Sequence, residues 1–217
     1  MNRFLCRRSL HSGLVSGVFA TPTIPFAILG LGLLLIAPAR EANAQGAQKF
    51  GAQVSVLSTS IEASNGSQSA GAGIEAQLRI NHLYRSSGSG VVSVGVGGQI
   101  TSHVSGVDEI TIAGVFVEPR WVPPLPFERV FPYVAVRVAL LNQSNNFGTS
   151  SSGAAFGGGG GIAFVVNSFI NVDAGVAIVR QSFGDIQFTR TGLSGPGSFD
   201  PFTTYAAKIG VSFGFPK

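Results

Sequence analysis

Charge is what this sequence has least of. Only 11% of its 217 residues are Asp, Glu, Lys or Arg, against about a quarter in an ordinary soluble domain. Fourteen basic and ten acidic groups cannot coat the outer faces of a solvated helical bundle. Disorder is excluded as well, because a disordered chain combines low hydrophobicity with high charge, and here 45% of the residues are hydrophobic. There is one cysteine, Cys6, so no disulfide framework can form within the chain. The only long apolar run lies near the start, from Ile24 to Ala37, and the Phe26 to Pro38 stretch falls short of the roughly 20 apolar residues that span hydrocarbon.

That early run reads as an export signal. Arg3, Arg7 and Arg8 supply a basic start, the apolar stretch follows, and Ala42-Asn43-Ala44 offers a small-x-small cleavage site, which divides the chain into a signal peptide, 1-44, and a mature domain, 45-217. Four of the fourteen basic residues and one of the ten acidic residues lie in the signal, so the mature part has ten against nine, a net charge of +1. The apparent excess of positive charge therefore gives no reason to expect nucleic acid as a partner. Cys6 also lies in the segment removed.

In the mature part the dominant period is two, the mark of strands. From Gly73 to Tyr84, Ile74, Ala76, Leu78 and Ile80 alternate with Glu75, Gln77, Arg79 and Asn81. The last segment sets Tyr205, Ala207, Ile209, Val211, Phe213 and Phe215 opposite Thr204, Lys208 and Ser212, and a third sets Ile170, Val172, Ala174, Val176 and Ile178 opposite Asn171, Asp173 and Gly175. Five further segments run from Phe50 to Leu57, Val91 to Thr101, Ile110 to Val117, Val130 to Leu141 and Phe156 to Val166. Ile110 to Val117 is apolar on both faces, which leaves its register open.

Eight alternating segments have connections of two kinds. Short ones follow the second, fourth and sixth segments, and longer polar ones span Thr59 to Gly71, Ser102 to Glu109, Asn142 to Gly153 and Ser182 to Phe202. This is the plan of an all-β, eight-stranded antiparallel transmembrane up-and-down β-barrel, with turns on the periplasmic side and loops outside. Such a barrel wears aromatic girdles where hydrocarbon meets headgroup. Phe50, Tyr84, Trp121, Phe131, Tyr133, Phe164, Phe169, Phe213 and Phe215 are expected at the periplasmic rim, with Phe156, Phe202 and Tyr205 at the other.

With the apolar faces given to lipid, Glu75, Arg79, Arg137, Asp173 and Lys208 point inward, joined by Gln53, Gln77, Asn81, Gln99 and Asn171. Eight strands enclose a space just wide enough for side chains. Two acids and three bases there should pair, since an unpaired charge in low dielectric is costly, and a plugged interior is expected rather than an open channel.

Other motifs point less far. Gly158, Gly160 and Ala163 fit a dinucleotide-type glycine pattern, but no helix pattern follows, so close packing or strand curvature is the better account of Gly157 to Gly161. His82 and His103 are the mature histidines, too few and too far apart to indicate a metal site. Ser102-His103 is the nearest approach to a catalytic pair, with Asp108 as the one nearby acid to orient it. No catalytic residue, metal or cofactor is therefore assigned.

The segment Phe131-Pro132-Tyr133-Val134-Ala135-Val136-Arg137 resembles the fifth strand of small outer-membrane β-barrel proteins of the OmpA/OmpX-like and opacity-protein type. Gly157 through Phe164, Asn167 and Val172-Asp173-Ala174-Gly175 resemble their sixth strand, tight turn and seventh strand. The resemblance spans residues 47 to 215 and implies the cell outer membrane of a Gram-negative envelope, outer-membrane lipid as the surroundings, and the barrel-assembly machinery as a partner during biogenesis. A monomer is expected, with a structural role or a surface-loop role towards an extracellular ligand, and with Phe147, Phe183, Phe188 and Phe199 as loop aromatics. The alternatives are a narrow porin-like channel or transporter for small solutes, an outer-membrane lipid-modifying enzyme, and a soluble secreted barrel.

Overall fold

A computed structural model describes residues 50–215, apart from 65, 87–89, 106–107, 126–128, 189–193 and 199. The signal segment, 1–44, and Phe199 lie outside the described residues. Ten strands follow in chain order: β1 (Phe50–Glu62), β2 (Gln68–Ser86), β3 (Gly90–Ser105), β4 (Asp108–Val122), β5 (Val130–Asn145), β6 (Thr149–Val165), β7 (Ile170–Phe183), β8 (Asp185–Phe188), β9 (Ser194–Ser198) and β10 (Phe202–Phe215). Every pairing is antiparallel between neighbours, and β10 returns to β1 over a register running from Phe50↔Phe215 to Glu62↔Thr203. Strands β1 to β7 and β10 thus form a closed eight-stranded barrel, while β8 and β9 make a small hairpin that leaves the barrel beside β6.

The barrel strands are 13 to 19 residues long, more than the roughly 9–11 needed to cross a bilayer. The connections expected to be long are shorter than their sequence suggests, because the strands continue into them. β1 runs on to Glu62 and β2 begins at Gln68, where the Thr59 to Gly71 segment reads as loop. Ser, Thr and Asn hold ladder hydrogen bonds as well as valine does once a partner strand is in place, so loss of apolar alternation does not mark a strand end. Two of the tight ends at this side use glycine in the left-handed region, Gly66 at φ 80° and Gly148 at φ 81°.

At the opposite side, called here the turn end, β6 and β7 meet in a turn in which Asn167 Oδ1 accepts from the backbone N–H of Phe169 at 2.8 Å and of Ile170 at 2.9 Å. Phe50 and Phe215, where β1 begins and β10 ends, lie at the same end.

The outer wall carries a belt of uncovered apolar side chains: Val54 and Val56 on β1, Ile74 and Leu78 on β2, Val115 and Val117 on β4, Val134 to Leu140 at every second position on β5, Val176 and Ile178 on β7, and Ile209 on β10. Leu78 is 67% exposed and Leu140 66%. A wall of this kind suits hydrocarbon and not water. Beyond it, towards the far end, the outward positions turn polar: Ser58, Ser60 and Glu62 on β1, Asn142 and Ser144 on β5, Arg180 and Ser182 on β7.

The interior changes in the opposite sense. Around the turn end and the middle it is polar, and towards the far end it becomes an apolar cluster of Ile61, Ile112, Phe116, Leu141, Val179, Phe183 and Phe202, with Ala139 and Ala155. On β1 the inward residues change from Gln53 and Ser55 to Leu57, Thr59 and Ile61 at the height where the outward ones change from Val54 and Val56 to Ser58 and Ser60.

Candidate functional site

The polar stretch of the lumen is the candidate site. Inward positions on each strand alternate with the lipid-facing ones, so its side chains are set by register alone. Glu75 and Arg79 come from β2, Arg137 from β5, Asp173 from β7 and Lys208 from β10; all five point inward and are buried. Two more charged residues belong with them, Glu118 and Arg120 on β4, 3% and 6% exposed, and neither is among the residues selected from sequence.

Glu118 is the centre. Its Oε1 lies 3.1 Å from Arg79 Nη2, 2.9 Å from Arg120 Nε and 3.3 Å from Lys208 Nζ. Its Oε2 accepts from Arg137 Nε at 2.9 Å and also pairs with Arg137 Nη2. Glu75 shares two of these cations, with Oε2 at 2.8 Å from Arg137 Nη2 and Oε1 at 3.3 Å from Lys208 Nζ. Asp173 is held from the other side by Arg120 Nη1 at 2.9 Å, by the Tyr133 hydroxyl at 3.0 Å and by Gln53 Nε2 at 3.3 Å. Neutral groups take up much of the remaining capacity: Gln77 Oε1 accepts from Arg79 Nη2 at 2.8 Å, and Gln99 Oε1 from Arg137 Nη1 at 3.1 Å. Each of the seven charges therefore has at least one opposite charge in contact, the condition under which buried ions are tolerated.

Small residues make room for this cluster. A Cβ on Gly161 would sit 2.5 Å from the Tyr133 hydroxyl oxygen, and one on Gly175 2.7 Å from it. Gly161, the last of the glycine run on β6, and Gly175 on β7 thus admit a tyrosine to the lumen. Two arginines also lie over aromatic rings, Arg120 4.2 Å from the Tyr133 centroid and Arg137 4.0 Å from that of Phe116. The second contact joins the charged layer to the apolar cluster above it.

The expected girdle is corrected at β5. Tyr133 is 5% exposed and faces the lumen, and Phe131, on the same alternation, is half-buried. The reason is parity: both share the odd positions with Arg137, while Val134, Val136 and Val138 take the outer face. Phe50, Trp121, Phe164 and Phe213 are outward near the turn end, and Phe169 is exposed in the β6–β7 turn. The backbones of Tyr84 and Phe215 are at that end too, but their side chains lie outside the described set. At the far rim Phe156 and Tyr205 are outward, whereas Phe202 is buried and stacks on Phe183, with centroids 5.6 Å apart. Phe183 is therefore a core residue, while Phe147 and Phe188 are exposed.

Ser102 and His103 do not form a working pair. As neighbours on β3 they face opposite sides: Ser102 Oγ donates to Glu109 Oε1 at 2.9 Å, and His103 is buried with Nε2 2.8 Å from Thr59 Oγ1. Among the described residues no group of three or more His, Cys, Asp or Glu is placed to hold a metal ion.

Among the described residues the lumen holds a void of about 40 Å³ between Arg137 and Leu141 and another of about 70 Å³ beside Arg79 and Arg120. Each has space for a few waters.

No protein-family profile matches the sequence, and no curated protein is significantly similar to it. Among solved structures, Neisserial surface protein A is similar with a TM-score of 0.58 at 17% identity, over 78% of this chain and 99% of that one. The outer membrane enzyme PagL gives 0.49 at 13% identity, over 73% and 97%. The attachment invasion locus protein Ail of Yersinia pestis gives 0.48 at 11% identity, over 78% and 99%. The first of these likenesses shows the fold, that of a small outer-membrane barrel.

Proposed function

We propose that the chain is exported by its first 44 residues and resides as a non-enzymatic, integral β-barrel in a bacterial outer membrane, with a closed lumen that serves as an internal strut. The observation that carries this reading is the charge cluster: all seven lumen charges are engaged with one another, four cations converge on Glu118, and side chains occupy most of the bore. A conduit for ions or solutes would need wall charges that face water, and these face each other. Outer-membrane lipid is the surrounding partner, the assembly machinery inserts the chain as a monomer, and any external ligand meets the far end, where Phe147 and Phe188 are exposed.

The test has two steps. Unboiled protein should migrate differently from boiled protein on a detergent gel and should fractionate with the outer membrane; equal mobility would remove the barrel reading. Reconstituted in a planar bilayer, the folded protein should show no stable conductance. A steady, reproducible channel would replace the strut by a narrow pore.

A further inference from the structure

His103 is a titratable side chain placed in the apolar half of the lumen. It is 1% exposed, and the wall outside at this height carries Ser58, Ser60, Ser102 and Thr111, so it stands above the apolar belt. Among the described residues its one hydrogen bond joins Nε2 to Thr59 Oγ1 at 2.8 Å. That bond links strands that do not pair, since β2 lies between β1 and β3. Gly71 faces Thr59 on one side and His103 on the other, and a Cβ there would run into the imidazole, so the glycine keeps open the gap in which the two side chains meet. Nδ1 is buried and has no partner. A neutral imidazole has one N–H and one bare nitrogen, and the Thr59 hydroxyl can serve either. An imidazolium has two N–H groups, so one would lack an acceptor, and it would bring a charge into the apolar cluster.

We propose that His103 is an acid-sensitive latch of the far end: neutral, it ties β3 to β1 inside the apolar cluster, and protonated, it leaves the interior and frees the β1–β2 and β3–β4 hairpins there. No facing group offsets the charge. The inward residues around it are Thr59 and Ile61 on β1, Gly71 and Gly73 on β2, and Ile110 and Ile112 on β4, none of them titratable. Glu109 is outward and takes the Ser102 hydroxyl, Glu62 is outward and takes that of Tyr205, and Glu75, deeper on β2, is bound to Arg137 and Lys208. Asp108 is paired with Ser105 at the rim, beyond the Ile110 partner of His103. Burial holds the imidazole below the ordinary histidine value. A fold that prefers the neutral form is stabilised fully above the unfolded value of about 6.5 and loses that contribution as pH falls below it. The ratio of open to closed far end therefore rises by up to about ten-fold for each pH unit lost.

Hydrogen exchange of the full chain refolded in detergent, corrected for the intrinsic pH dependence of amide exchange, tests this between about pH 7 and about pH 5. Amides of Leu57 to Ile61 and of Thr101 to Val104 should lose up to about ten-fold in protection per pH unit below about 6.5, while those of Asn171 to Gly175 should not. His103→Gln keeps a polar partner for Thr59 without a titrating group and should be flat over this range, whereas His82→Gln should respond as the unmodified chain does. Equal protection across the range, or a response that survives His103→Gln, would overturn the proposal. So would protection that rises in acid, which would mean that Asp108 receives the imidazolium. If His103→Gln does not fold, the imidazole resonances of the unmodified chain decide: titration below the ordinary value is expected, and a His103 that titrates at or above about 6.5 would sink the latch.

Discussion

The two ends of the lumen solve the same filling problem with opposite chemistry. In the stretch that includes the turn end, Glu75, Glu118 and Asp173 are tied to three arginines and a lysine, and the wall outside is Val, Leu and Ile. At the far end Ile61, Ile112, Phe183 and Phe202 pack together, and the wall outside carries Ser60, Asn142 and Arg180. The solvent on the outer face accounts for the difference. Where lipid wets the wall, the strands must give their apolar alternation to the outside and are left with polar residues within. Where water wets it, the same strands revert to the arrangement of a soluble barrel. The switch is written as adjacent apolar pairs, Val56-Leu57, Leu140-Leu141 and Ile178-Val179, at which one face hands the apolar role to the other.

The contrast can be broken at either end, and the largest effect is expected at the charged one. Glu118→Ala leaves four cations without their shared carboxylate and should lower stability by about 3–5 kcal/mol, read as a fall in the urea midpoint of the refolded barrel. Phe183→Ala removes a buried ring stacked on Phe202 and should cost about 3–4 kcal/mol; native-state hydrogen exchange should show protection lost first at the far end, while Glu118→Ala loosens the whole cylinder. The outer wall gives a paired test. Leu78→Arg within the belt should cost about 2–4 kcal/mol and Ser60→Arg above it about 0–1 kcal/mol, as measured by unfolding in lipid vesicles. Equal costs would mean that the belt does not end where the outward residues turn polar. Within the lumen the smallest effect is that of Tyr133→Phe, which deletes one hydrogen bond to Asp173 and should cost about 1.5 kcal/mol; no loss at all would place that hydroxyl at the rim.

Much of this barrel was legible because lone charges stand out within alternating apolar runs. Glu75, Arg79, Asp173 and Lys208 each interrupt one face of an otherwise regular strand, so their direction follows from parity. Glu118 and Arg120 escaped for a physical reason: they follow Ile110 to Val117, which is apolar on both faces because it crosses the height at which the polarity changes over. The spacing of two between them was the available signal, and it also fixes the strand's register, with Phe116 and Ile112 on the same inward side. Tyr133 was misplaced by residue type, since an aromatic near a strand end suggests a girdle, while its parity with Arg137 points inward. The far-end hairpins were hidden because only pairing with a neighbour, which a single segment does not reveal, keeps Ser and Thr stretches extended.

Closure of the ring by β10 on β1 bears on how the chain folds. The partners in that seam, Phe50 with Phe215 through Glu62 with Thr203, stand at opposite ends of the barrel sequence, so their contact has almost the longest separation the domain allows. Lys208 arrives on that same last strand and meets Glu75 from the second and Glu118 from the fourth. Ring closure and completion of the ion cluster are thus one event. A sheet of seven strands would have two raw edges and an unfinished interior at once, and docking of β10 removes both defects together.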